Sequence, residues 1–228
     1  MTLNTDDFLN SILQSLSRID YIKPEDLPNI DLYMDQVTTF MDAQLTASKR
    51  RFEDKILTKT MINNYTKNNL LPPPEKKKYS KEHILTLIFI YHFKNILSIN
   101  DIQEILNPIT EKYFGHGQDF QLEDIYREVF QLEKEEVTIL QADIARKFQI
   151  SSETFPNASL KEQQDLQNFA FICMLSFDVY IKKQLIEKMI DLQKEKSEGI
   201  PVKQEKPKPA KIKSDKTKQD SSKPLERN

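Results

Sequence analysis

The sequence predicts an all-α protein, and three observations predict it. The 228 residues include only three glycines, at 115, 117 and 199. No long alternating run of β-branched residues offers material for a sheet, while Leu, Ile, Lys, Glu and Gln dominate. Apolar residues recur at three- and four-residue intervals along most of the chain. A chain of this length can bury one substantial core, or a smaller one with an appendage.

The helices follow in order. From Asp6 to Ile19 the side chains Phe8, Ile12, Leu16 and Ile19 share one face, and Asp6 and Asp7 sit at the positive helix end, as an N-terminal brace would have them. Pro24 and Pro28 mark a connector, so 1–27 reads as a helix and its connector. A second helix from about Leu32 presents Val37, Phe40, Met41 and Leu45 to a core. Thr58 then caps a short helix that ends near Asn69, a residue type that tolerates the left-handed closing conformation. Met61, Ile62 and Tyr65 form its packing side, and Thr60, Asn63, Asn64 and Lys67 the other. Pro72, Pro73 and Pro74 stop it.

Ser80 caps a helix whose apolar residues, Ile84, Leu85, Leu87, Ile88, Phe89, Ile90, Phe93, Ile96 and Leu97, cover nearly the whole circumference, so it should be the buried centre. Ser98 to Leu106 reads as a short helix with Asp101 completing its cap and Pro108 ending it. Gly115, His116 and Gly117 form a turn. Gln121 to Phe148 is an acidic helix with Ile125, Val129 and Leu132 inward. Gln141 to Phe155 faintly resembles a second helix-turn-helix, against which stand Gln149 in place of a turn glycine and the early Pro156. A long helix from Leu160 to Lys194 carries a near-heptad stripe, Leu166, Phe169, Cys173, Phe177, Tyr180, Leu185, Met189 and Leu192, suited either to a homodimer contact through 160–194 or to packing on its own body. The region 109–196 is therefore a C-terminal helical region. The Lys- and Pro-rich stretch 197–228 has almost nothing to bury and reads as a disordered tail.

Charge singles out one stretch. Lys49 to Lys81 holds ten basic side chains against three acidic ones, a net +7 in a chain of net −2. A cationic surface on an acidic protein suits a polyanion partner, although a solvated face is the bland alternative. The Thr60, Asn63, Asn64 and Lys67 face bears on the choice. Asn can bond adenine in a paired fashion in the major groove, Thr can touch base edges, and Lys can reach guanine or phosphate.

The run LLPPPEKKKYSKEHILTLIFI followed by LSINDIQEIL resembles the MerR-type winged helix-turn-helix of bacterial transcription regulators, and ILTKTMINNYTKNNLLPPPEKKKYSKEHI is similar to the bacterial family called domain of unknown function 1836. The resemblance covers about Pro28 to Leu106 and implies a MerR-like winged helix-turn-helix over 28–108 that binds double-stranded DNA. Where the MerR pattern has Arg-Tyr-Tyr this chain has Asn63, Asn64 and Tyr65; Asn69 replaces Gly before Leu-Leu, and the wing is shorter. Tyr65 matches a phosphate-contacting position, with burial beside Ile62 as the alternative. The implied DNA-binding set is Lys49, Arg50, Arg51, Lys59, Thr60, Asn63, Asn64, Tyr65, Lys67, Lys76, Lys77 and Lys78.

Other chemistry finds little support. No phosphate-cradling loop can be written with so few glycines. His83, His92 and His116 stand in no zinc spacing, and no nucleophile has a visible base. No catalytic residue, metal site or cofactor is therefore expected. The single Cys173, the lack of a secretory signal and the lack of a membrane span together predict a cytoplasmic protein. The function predicted is DNA-binding transcription regulation. Its rival is a helical protein–protein interaction module that keeps the winged scaffold without specific DNA binding.

Overall fold

The computed structural model describes residues 5–16, 22–115 and 120–197. These residues form seven α-helices and one small sheet: α1 (Thr5–Leu16), β1 (Leu32–Tyr33), α2 (Met34–Gln44), α3 (Lys59–Lys67), β2 (Lys78–Tyr79), α4 (Lys81–Phe93), α5 (Ile99–Tyr113), α6 (Leu122–Ser152) and α7 (Leu160–Ser197). The chain is thus mostly helical, as composition predicts. The sheet is two antiparallel pairs, Leu32 with Tyr79 and Tyr33 with Lys78. Ile19, the side chains of Phe8 and Leu16, the His116–Gly117 turn and the 198–228 tail lie outside the described residues.

Helix α4 is the centre of the core, with every residue from His83 to Tyr91 buried. A helix apolar on all sides must be surrounded, and it is: by Val37 and Met41 of α2, Ile62 and Tyr65 of α3, Ile102 and Leu106 of α5, and Leu122 and Tyr126 of α6. The imidazole of His83 is fully used. The backbone N–H of Ser80 donates to His83 Nδ1 at 2.9 Å, which leaves the proton on Nε2, facing the Pro73 carbonyl at 3.4 Å. The ring also meets Tyr79 and Phe114 edge-on. His83 therefore fastens the Pro72–Pro74 segment to the first turn of α4.

Several boundaries differ from expectation for local reasons. The second helix begins at Met34 because Leu32 and Tyr33 extend to pair with β2, and the Tyr33 N–H is taken by Gln36 Oε1 at 2.9 Å. Helix α4 ends at Phe93, which leaves Ile96 exposed in the following turn. Pro108 does not end α5. It lies on the exposed side, so the Glu104 carbonyl that loses its N–H partner can be hydrated, and the Thr110 hydroxyl adds bonds to the Leu106 and Asn107 carbonyls at 3.1 and 3.2 Å. Helix α6 continues through Gln141–Ser152, so the faint second helix-turn-helix does not form. Leu132 points outward.

The expected connector is part of the core. Ile22, Pro24 and Leu27 are buried, and the Tyr126 hydroxyl donates to the Ile22 carbonyl at 2.5 Å. Arg127 pairs with Glu25 at 3.0 Å and with Glu123 at 2.8 Å, while Lys81 reaches Glu123 at 2.7 Å. Helix α1 packs on α6.

Beyond Val129, α6 and α7 form an antiparallel helical hairpin. Phe148 meets Phe171 edge-on, and Lys147, itself buried, is paired with both Asp143 and Asp178. Lys194 of α7 reaches Glu104 of α5 at 2.9 Å. The inward side of α7 is Phe171 and Ile190. The near-heptad stripe faces away: Leu166, Phe169, Cys173, Phe177, Tyr180, Leu185 and Met189 are exposed, Phe169 by 63%. Of the two roles open to the stripe, packing on its own body is not the one observed.

Candidate nucleic-acid interface

Helix α3 is nine residues long and is held at both ends by its own sequence. The Thr58 hydroxyl accepts the Met61 N–H at 3.2 Å. At the other end Asn69 adopts φ 54°, and the N–H groups of Leu70 and Asn69 reach back to the carbonyls of Tyr65 and Thr66 at 2.9 and 3.1 Å. This is a Schellman closure, completed by the buried pair Tyr65 and Leu70. Gln103 of α5 donates to the Asn68 carbonyl and ties the same end to the body.

The two sides of α3 separate. Ile62 is fully buried and Tyr65 is 8% exposed, whereas Thr60, Asn63, Asn64 and Lys67 are all exposed. Two expectations need correction. Met61, assigned to the packing side, is exposed because it lies a full residue away from the Ile62–Tyr65 line. Tyr65 takes the buried one of its two roles, and desolvation pushes its hydroxyl up, so it is a protonated core group instead of an exposed phosphate contact.

The basic residues divide likewise. Lys49 is pinned to Asp42 at 2.8 Å with its side chain largely covered, and Lys59 pairs with Asp35, both acids on α2. Arg50 and Arg51 are exposed. The segment that carries them is long but anchored: Ser48 Oγ and Tyr91 Oη are 2.5 Å apart, Ile56 and Leu57 are buried, and Lys94 Nζ donates to the Ile56 carbonyl at 2.7 Å.

Lys76 and Lys77 occupy the two central positions of a tight turn. Glu75 and Lys78 face each other across it, the Lys78 N–H donates to the Glu75 carbonyl at 2.8 Å, and both lysines have positive φ, 48° and 65°. That is a type I′ hairpin turn, whose usual residues are Asn and Gly. Lys78 lies over the Tyr33 ring at 5.4 Å. Of the implied set, the cations left open to a partner are thus Arg50, Arg51, Lys67, Lys76 and Lys77.

Residues 22–129 match the family described as Domain of unknown function (DUF1836). The matched DUF1836 segment, just under half of the chain, is wider at both ends than 28–108, and a hydrogen bond between Tyr126 and Ile22 joins its two ends. All the candidate site residues fall within it. The α6–α7 hairpin lies almost wholly outside. Neither a curated protein nor a solved structure matches the chain.

Sequence reading missed the acids Asp35 and Asp42 that neutralise two lysines, and Tyr33, which holds a third. A signal existed for the first pair: Asp35 and Asp42 are two helical turns apart, so they share one face of the second helix, beside the buried Val37 and Met41. Phe52 was also passed over. Among the described residues no helix is long and apolar enough to cross a membrane, and no group of three His, Cys, Asp or Glu could hold a metal.

Proposed function

We propose that this protein is a DNA-binding transcription regulator in which residues 28–108 form a MerR-like winged helix-turn-helix. Helix α2 is the supporting helix, α3 the recognition helix and the 75–78 turn the wing. In this reading α3 lies in the major groove, where Asn63 and Asn64 bond base edges and Thr60 and Lys67 flank them. Lys76 and Lys77 touch phosphate beside the groove, and Arg50 and Arg51 do so at the other end of the helix. Phosphate contacts set position and base contacts set sequence preference.

One observation carries the reading: two lysines hold left-handed backbone positions in a turn that Asn and Gly would occupy at lower cost, next to an exposed Asn-Asn helix face. Strain that persists without helping the fold points to a use for the side chains. The exposed α7 stripe supports a second copy as partner, giving a homodimer that presents two recognition helices about 34 Å apart, one DNA turn.

The test is titration of a labelled duplex pool at two salt concentrations. Five open cations per copy give log affinity a slope against log salt of about −4 to −5 per bound copy. Absence of binding at low salt removes the regulator reading and leaves the protein-interaction module, which the same exposed stripe favours.

A further inference from the structure

Phe52 is 97% exposed, and it is held there. It follows Arg51 in a tight turn closed by the Asp54 N–H on the Arg51 carbonyl at 3.1 Å and by the Arg51 N–H on Asp54 Oδ2 at 2.9 Å. The turn stands on an anchored base, Ser48 against Tyr91 on one side and Ile56 against Lys94 on the other. A large apolar ring carried by a loosely attached loop would be unremarkable. One displayed on a fixed turn, between Arg50, Arg51 and Lys55, all exposed and none in an ion pair among the described residues, is arranged to meet something.

Its place in the chain says what. The turn leads within a few residues to Thr58, the N-cap of α3. In a helix-turn-helix the N-terminal residues of the recognition helix contact base edges, so the segment feeding that end lies against the duplex. The connection between the two helices is also far longer than the three to four residues the motif usually needs. On a duplex, an apolar side chain beside arginines suits the minor groove, whose narrow form attracts Arg and whose base steps can be wedged apart by Phe.

We infer that the Arg50–Lys55 turn is a second DNA-contacting element, in which Phe52 inserts at a base step of the minor groove and Arg50 and Arg51 hold the adjacent phosphates. The inference rests on the DNA-binding reading above. It gives α3 a cationic turn at each end, with an apolar tip on one alone.

The experiment uses the full chain and duplexes selected from a randomised pool at low salt, then resynthesised with 2-aminopurine at successive steps beside the selected core. Wild-type protein should raise the fluorescence at one step, because a wedged step is unstacked. Phe52→Ala should abolish that rise and weaken binding about tenfold, while Phe52→Leu, still an apolar wedge, keeps most of both. Melting should be unchanged in both variants, since the ring packs on nothing. If Phe52→Ala binds and unstacks as wild type does while Asn63→Ala loses site preference, the turn is not a DNA element although α3 is. If Phe52→Ala changes self-association on a sizing column and leaves DNA binding intact, the ring contacts protein and the inference is overturned. If wild-type protein binds no duplex, the DNA reading itself fails and takes this one with it.

Discussion

Asn63 and Asn64 are adjacent, exposed and poor helix formers, so the fold gains little from them. Replacing either with Ala should leave melting unchanged or slightly raised, yet cost about 1–3 kcal/mol on a preferred DNA site and little on random sequence. Competition binding between selected and scrambled duplexes checks this; early melting with retained discrimination would mean that the wrong face of α3 was assigned. Tyr65, two places on, should behave in the opposite way. Tyr65→Ala opens a cavity in the buried cluster and should cost about 3–5 kcal/mol in urea denaturation, by analogy with other buried aromatic truncations. The histidines add a pH dependence. Burial lowers the pKa of His83 and pushes that of His92 down to about 4. A group whose folded pKa lies below its unfolded value binds fewer protons when folded. Its contribution is therefore complete above about pH 6.5 and is lost as pH falls toward the folded pKa. Stability should drop by on the order of 3 kcal/mol from His92 between pH 6.5 and 4, with His83 adding in the same direction, and His92→Leu should flatten part of that slope in urea melts taken at stepped pH.

At the level of elements, the helix caps were the most legible features. Thr58 and Asn69 bracket α3 as their chemistry requires, and Ser98 opens α5 with its hydroxyl accepting the Asp101 N–H at 3.2 Å. The buried character of α4 was equally plain, because its apolar residues cover nearly the whole circumference of the helix. What could not be read were features set by partners distant in sequence. Leu32 and Tyr33 look like helix residues until β2 arrives to pair with them, and Pro108 looks like a terminator until its exposed side is known. Lys49 and Lys59 look like free cations until α2 places Asp42 and Asp35 beside them. The type I′ turn offers the sharpest element-scale test. Changing Lys76 and Lys77 to Asn and Gly relieves two left-handed side chains, so thermal melting should rise by a few degrees, in keeping with about 0.5–1 kcal/mol. The same change should flatten the salt dependence of DNA binding by about two units of slope, if both lysines meet phosphate. A variant that is more stable and binds less would show that the strain serves contact.

For the whole molecule, the question is where the apolar surface of α7 goes. Phe169, Phe177 and Tyr180 are more than half exposed and share one side of α7 with Leu166 and Cys173. Continuous apolar surface of this extent is uncommon on a monomer. Light scattering should give twice the mass of one chain, and Phe169→Glu with Phe177→Glu should give a single chain that keeps its helix content and loses affinity for paired half-sites. A wild-type protein that stays single at high concentration would assign the stripe to some other protein. Helix α6 matters here because it crosses a border. Its first turns carry Leu122 and Tyr126 into the core of the matched segment, and its last carry Lys147 and Phe148 into the hairpin, with no break between. A rod of 31 residues, about 46 Å long at 1.5 Å per residue, thus joins the segment proposed to bind DNA to the hairpin that bears the exposed stripe. If the proposed dimer on DNA holds, such a protein would measure its target like a fixed-gauge caliper. One residue inserted near Glu135 would turn the far half by about 100°, and the jaws would no longer open to a whole turn of the duplex.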